Sequence, residues 1–231
     1  MKTLLTLFLA TSLPLLAAEP NQLSADEKED GFALLFDGKT LDGWRTYKKK
    51  EPNKEWVVED GAITLTKKGG RDLITTEQYQ DFDFRWQWKI SAEGNSGVMW
   101  RVAETDGPAY KTGAEYQLLD SWSTETYAHE TKAKRVAGSL YGLVDGNPEW
   151  SKKVGEWNES RILVQGTRLT LFLNGHTTAD LDMNSDEWRT KLAASKFAKW
   201  PRFAKEPKGH LCFQDHGNKV AFRSIRIKVL K

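Results

Sequence analysis

Across 231 residues there is one cysteine, Cys212. Without a second thiol no internal disulfide can form, so stability has to come from packing. Cys212 lies between apolar neighbours in GHLCFQDHG, the setting of an inert buried thiol and not of a nucleophile. Neither sign of charge prevails: 34 Lys and Arg stand against 32 Asp and Glu, a formal net charge of +2. A nucleic-acid binder would carry a basic stripe, and there is none. The four histidines, His129, His176, His210 and His216, are scattered, with no His-x-x-x-His pair to suggest a zinc site. No glycine loop leads from a strand into a helix to cradle phosphate, no Gly-x-Ser-x-Gly elbow presents a serine, and no EF-hand loop is present. No cofactor is implied, although a divalent metal such as calcium, held by aspartates and backbone oxygens, is left open. Internal repeats and linkers are missing from residues 31–231.

Only one apolar run is long enough to notice, and it is the first. MKTLLTLFLATSLPLLAAEP carries a lysine, an apolar stretch, then Ala17 and Ala18. This is the pattern of a signal peptide cleaved after Ala18, and it directs the protein to the periplasm or the medium. Pro14 interrupts the run, which falls short of the roughly 20 residues of a spanning helix, so no membrane association is expected after cleavage. Residues 19–30 are polar and aperiodic and read as a flexible leader; residues 31–231 read as a single domain.

What remains is rich in aromatics, with ten Trp, and almost entirely β in pattern. DFDFRWQWKI alternates Phe82, Phe84, Trp86, Trp88 and Ile90 against Asp83, Arg85, Gln87 and Lys89, one buried face and one wet face. Val98, Trp100 and Val102 alternate with Met99 and Arg101, and Ile225, Ile227 and Val229 share a face of the last strand. Asp60-Gly61 and Asn174-Gly175 are hairpin signals, the first of type I′. One segment, 185–200, reads as a short helix with Ser185 as N-cap, stopping before Pro201 and packing outside the sheets. Many short strands and hairpin turns predict an all-β, two-sheet antiparallel jelly-roll sandwich with one peripheral helix, a fold that binds ligands on the concave face of one sheet.

Chemistry concentrates in three stretches. In AEYQLLD, Glu115 and Gln117 share a face, and a β-bulge after Gln117 would bring Asp120 to the same side. Arg101 is expected beside Glu115 if the two strands are neighbours. In FQDHGN, Gln214, Asp215 and His216 occupy a turn, and an imidazole there is suited to proton transfer near neutral pH. Spacing alone favours the plainer reading, solvated polar faces, a surface ion pair and a structural or exposed histidine.

Taken in order, GFALLFDGKTLDGWR, WVVEDGAITL, DLITTEQYQDFDFRWQWKI, GNSGVMWR, AEYQLLD, GEWNESRILVQGTRLTLFLNG and GHLCFQDHGNKVAFRSIRIKVL resemble the 3-keto-disaccharide hydrolase domain family of secreted bacterial proteins. The resemblance covers residues 31–231 and implies a concanavalin A-like jelly roll acting on a glycoside already oxidised at carbon 3. A ketone there acidifies the carbon-2 hydrogen, so a base can remove it, the enolate can expel the glycosidic oxygen, and water can add back. The partners implied are a carbohydrate substrate and an upstream sugar 3-oxidoreductase; oligomeric state is not indicated. By position the resemblance implies a single pocket formed by Asn95, Ser96, Arg101, Glu115, Gln117, Asp120, Gln214, Asp215 and His216. In it His216 or Glu115 would be the base, with Asp120 as the other partner or a hydroxyl ligand. Arg101 and Gln117 would donate to the ketone oxygen, and Tyr141 would be acid or stacking platform. The loop 124–138 would form a rim. Two rivals stand beside this reading. One is a non-catalytic carbohydrate-binding module. The other is a retaining endoglucanase, whose Glu-x-Asp-x-x-Glu strand would correspond to Glu115-x-Gln117-x-x-Asp120.

Overall fold

The computed structural model describes residues 19–123 and 135–231; the expected signal peptide and most of the expected rim loop lie outside them. In chain order the strands are β1 (Ala33–Leu34), β2 (Trp44–Thr46), β3 (Trp56–Glu59), β4 (Ala62–Leu65), β5 (Leu73–Thr75), β6 (Phe82–Ile90) and β7 (Asn95–Val102). They continue as β8 (Ala114–Leu119), β9 (Asn158–Gln165), β10 (Arg168–Leu173), β11 (His176–Asp182), β12 (His210–Phe213) and β13 (Val220–Val229). Two helices, α1 (Ala25–Glu29) and α2 (Asp186–Ala193), accompany them. One sheet has the order β11-β10-β9-β6-β13-β4-β3, with β1 also paired to β13; the other runs β2-β5-β12-β7-β8. Every pairing is antiparallel, and the two sheets form the expected jelly-roll sandwich.

The core is aromatic because β6 supplies a ring at nearly every inward position. Phe82, Phe84, Trp86 and Trp88 are buried, and Trp86 meets Tyr116 of the facing sheet edge-on at 5.2 Å. Phe213 stacks between Trp44, at 4.7 Å, and Phe222, at 3.9 Å, which ties the sheets together a second time. Each such side chain contributes about 1.5–3 kcal/mol by leaving water. Both hairpin expectations hold: Asp60 and Gly61 have φ of 52° and 69°, Asn174 and Gly175 of 48° and 85°, the pair of positive values a type I′ turn needs.

Three expectations need correcting. Residues 19–30 are not a loose leader: Ser24 and Glu27 form a capping box, Glu27 pairs with Arg226, and Asn21 bonds Ser224 and Gly61. Val229 does not share the burial of Ile225 and Ile227 and is 61% exposed. Val102 leaves the face of Val98 and Trp100 and joins Met99, because Arg101 has a φ of 50° and the pairing with β12 slips between His210 and Cys212. A bulge there reverses the alternation.

Candidate active site

The five-stranded sheet has a dry inner face and a second, outer face, and the pairing of its strands decides what the outer face presents. Met99 pairs with Glu115, Gly97 with Gln117 and Asn95 with Leu119, while Gln214 N–H donates to Gly97 O at 2.9 Å. Asn95, Glu115, Gln117 and Gln214 therefore converge on one side. Residues 138–141 run along the free edge of β8: Gly138 N–H donates to Gln117 O, Gln117 N–H to Ser139 O and Tyr141 N–H to Glu115 O. That added rung sets Tyr141 beside Glu115.

The result is a cavity of about 330 Å³. Its polar groups are Asn95, Glu115, Gln117, Gln214, His216 and Lys196; its aromatic walls are Tyr110, Tyr141, Phe197 and Trp200. Glu115 is 8% exposed, and its carboxyl lies across Gly97. A Cβ at Gly97 would overlap Oε1 and come within 2.7 Å of Cγ and Cδ, so only glycine admits this side chain. Burial pushes the Glu115 carboxyl up to about 8; the charge of Asp72 adds to the rise, while Lys196 and a hydrogen bond with Gln214 oppose it. At neutral pH Glu115 is mainly the neutral acid. Asp72, just before β5, is raised to about 6, chiefly by burial, and its Oδ1 accepts the Asp215 N–H at 3.1 Å.

His216 faces the cavity from the turn between β12 and β13, with Nε2 at 3.3 Å from Asn95 Nδ2. Asn95 Oδ1 already accepts Gln117 Nε2 at 2.8 Å. The Asn95 amide nitrogen can only donate, so His216 Nε2 offers its lone pair. That long bond at an exposed site is cheap to exchange for a substrate.

Six expected residues come together: Asn95, Glu115, Gln117, Tyr141, Gln214 and His216. Four do not. Ser96 is on the opposite, inner face, and its hydroxyl donates to Gln214 O at 2.8 Å. The bulge at residue 101 turns Arg101 away to Asp81, at 3.0 Å, and to the carbonyls of Gln80 and Gly166. Asp120 stays out of phase because β8 pairs in unbroken register, with no bulge after Gln117; its carboxylate accepts Glu93 N–H and Trp122 N–H. Asp215 accepts Gly69, Arg71 and Gly217 N–H and so holds the 69–72 loop in place of substrate.

Sequence reasoning missed Lys196, Phe197, Trp200, Tyr110 and Gly97. The segment 185–200 does start at Ser185, which caps Trp188 N–H, but it breaks where Ser195 accepts Phe197 N–H and opens a separate 3-10 turn, Lys196–Lys199. That turn lines the cavity instead of lying outside the sandwich. The clue was the lysine-interleaved aromatic run KFAKWPRF, whose Phe197 stacks on Phe203 at 4.2 Å. Among the described residues no three His, Cys, Asp or Glu form a metal-binding group. A larger hollow of about 700 Å³ beside Lys48–Lys50 lacks aromatic walls, and its Arg45 and Glu104 are spent on each other.

The lining can support proton transfer between a protonated carboxyl and an imidazole, beside a surface on which a sugar ring can stack. Glu115 is the lining's one carboxyl among the described residues, so the two-carboxylate geometry of ordinary glycoside hydrolysis is missing from it.

Comparison with known proteins gives a consistent result. Residues 31–228 match the family described as 3-keto-alpha-glucoside-1,2-lyase-like domain. The chain is 33% identical to a 3-keto-disaccharide hydrolase of Bacteroides thetaiotaomicron, over 95% of this chain and 85% of that one. A crystal structure of a candidate glycosyl hydrolase from Parabacteroides distasonis superposes with a TM-score of 0.83 at 32% identity, covering 92% of this chain and 100% of that one. A second such protein from the same organism gives 0.68 at 25% identity, with 86% and 99% covered.

Proposed function

This chain belongs to the 3-keto-alpha-glucoside-1,2-lyase-like domain family and is a hydrolase, and from that premise we propose that it cleaves 3-keto-glycosides by elimination and rehydration. His216 Nε2 removes the carbon-2 proton. The electron pair left behind conjugates with the carbon-3 ketone, the carbon-1 to oxygen bond breaks, and the departing oxygen takes its proton from Glu115. Water then adds across the carbon-1 to carbon-2 double bond, with hydroxyl to carbon 1 and hydrogen to carbon 2, and net hydrolysis results.

The observation that carries this reading is the pairing of a buried Glu115, kept protonated to about pH 8, with an imidazole facing the same cavity. A ketone-activated elimination needs one acid and one base; it does not need a nucleophilic carboxylate. The aromatic walls suit a sugar ring, and a volume near the low end of the usual ~300–1,000 Å³ fits a small glycoside better than a polymer. The substrate has to be made by an oxidoreductase that converts the carbon-3 hydroxyl to a ketone. We further propose export, with cleavage after Ala18; Edman sequencing of protein from the periplasm or medium should begin at Glu19.

The test compares a 3-keto-glucoside with its unoxidised parent, run in deuterium oxide. The expected result is cleavage of the keto form alone, deuterium at carbon 2 of the product, and loss of turnover in both Glu115→Gln and His216→Ala. Equal cleavage of the parent sugar, or full activity in His216→Ala, overturns the mechanism. Retained sugar binding without any turnover of the wild type would favour a lectin-like role.

A further inference from the structure

The elimination proposed above makes a negative charge on the carbon-3 oxygen, and the two residues given roles so far act elsewhere on the sugar: His216, a cation once it has taken the proton, at carbon 2, and Glu115 at the leaving oxygen. We propose that Lys196 is the third catalytic residue, its ammonium receiving the enolate oxygen as charge develops there. This rests on the 3-keto-glycoside reading and adds to it the group that stabilises the intermediate.

Among the described residues lining the cavity, Lys196 is the one permanent cation. Its Nζ donates to Tyr141 Oη at 3.3 Å and lies 4.4 Å from the Tyr141 ring centroid and 5.3 Å from that of Phe197. Among the described residues no carboxylate comes within 4.0 Å of it. The ammonium is thus held by ring faces and a phenol, not by a counter-ion. Glu115 interacts with it through space, and burial holds that carboxyl toward its neutral form, so little within the lining offsets the ammonium before substrate arrives. A charge placed in advance where an anion will form is the arrangement that lowers a barrier most. Its position also has a structural cause: without the break at Ser195, α2 would run on and the 3-10 turn that presents Lys196 would not form.

The electron count closes. The carbon-2 to hydrogen bond breaks, its proton goes to His216, and its electron pair forms a carbon-2 to carbon-3 double bond with the charge on oxygen 3. Lys196 holds that charge without transferring its proton. The pair then returns, carbon 3 is a ketone again, the carbon-1 to carbon-2 double bond forms, and oxygen 1 leaves with the Glu115 proton.

The experiment measures cleavage of a 3-keto-glucoside and carbon-2 hydrogen exchange in deuterium oxide, for wild type, Lys196→Met and Lys196→Arg. Removing one oxyanion donor typically costs about 10²–10³ in kcat. Lys196→Met should fall by that factor in kcat with little change in KM, and exchange should slow in step with cleavage. Lys196→Arg should recover much of the loss. The alkaline limb of the rate profile should move to higher pH in Lys196→Met, because the charge that opposes the rise of Glu115 is gone. Activity in Lys196→Met within about threefold of wild type, or a loss confined to KM, overturns the proposal while the elimination itself stands. A wild type that cleaves the keto-glucoside without carbon-2 exchange overturns both.

Discussion

Glu115→Gln should make the protein's stability much less dependent on pH, and the direction follows from the carboxyl's surroundings. Burial moves Glu115 from its ordinary 4.5 to about 8. The folded state therefore holds a proton that the unfolded chain has released over the interval between those values, and stability falls as pH rises through it. Below 4.5 both states are protonated and the contribution is complete; above about 8 it is lost. At about 1.4 kcal/mol per pH unit the ceiling is roughly 5 kcal/mol. Part of this is relieved because the carboxyl borders a cavity that water can enter, so about 2–3 kcal/mol is the working expectation. Glutamine keeps the shape and removes the proton. Urea unfolding of both proteins at pH 5 and pH 8.5 reads the effect: the wild type should lose that amount relative to the variant between the two values. Parallel pH dependences would mean that Glu115 is ionised in the fold near its ordinary range, and its assignment as the acid would fall with that result.

Three further outcomes follow from the placement of other side chains. Arg101→Ala should cost about 1–3 kcal/mol in chemical denaturation, since it takes one donor from Asp81, which keeps the Gly166 N–H, and one from each of two carbonyls, yet leave kcat close to wild type; a large loss of kcat at unchanged stability would return Arg101 to the site. Asp215→Ala removes the acceptor of three backbone N–H groups and should destabilise by about 1–3 kcal/mol, with faster amide exchange at Gly69, Arg71 and Gly217. Gly97→Ala should lower kcat by about 10²-fold with an unaltered far-UV spectrum, because the new methyl group displaces the Glu115 carboxyl by an ångström or so; wild-type turnover would show that the carboxyl's position is not critical.

How much of this was legible in the sequence depended on the range of the force involved. β6 could be read outright, because five apolar side chains at period two leave one way to bury them. The Asp60-Gly61 and Asn174-Gly175 turns could be read because their backbone geometry is set by the two residues themselves. Glu115, Gln117 and Asn95 could be placed together once their strands were taken as neighbours. Arg101 and Asp120 could not, since their directions depend on where one bulge falls. It falls at residue 101, opposite β12, and not after residue 117, and that choice is made by pairing between strands some 110 residues apart.

Lys196 shows the same limit from the other side. Ser195 can either continue a helix or accept Phe197 N–H and begin a new turn, and locally the two differ by about 1 kcal/mol. Burial of Phe197 against the distant Tyr141, with Trp200 and Phe203 packed beside it, decides it, a packing gain larger than the local difference. The chemistry is therefore split between two kinds of residue. The acid and the amides sit on strands whose pattern announces them, while the cation arrives on a turn selected by packing. A close relative that kept Glu115, His216, Phe197 and Trp200 but carried an uncharged side chain in place of Lys196 should still bind the sugar and should lose the enolate's stabilising charge, so its deficit should appear in kcat and not in KM.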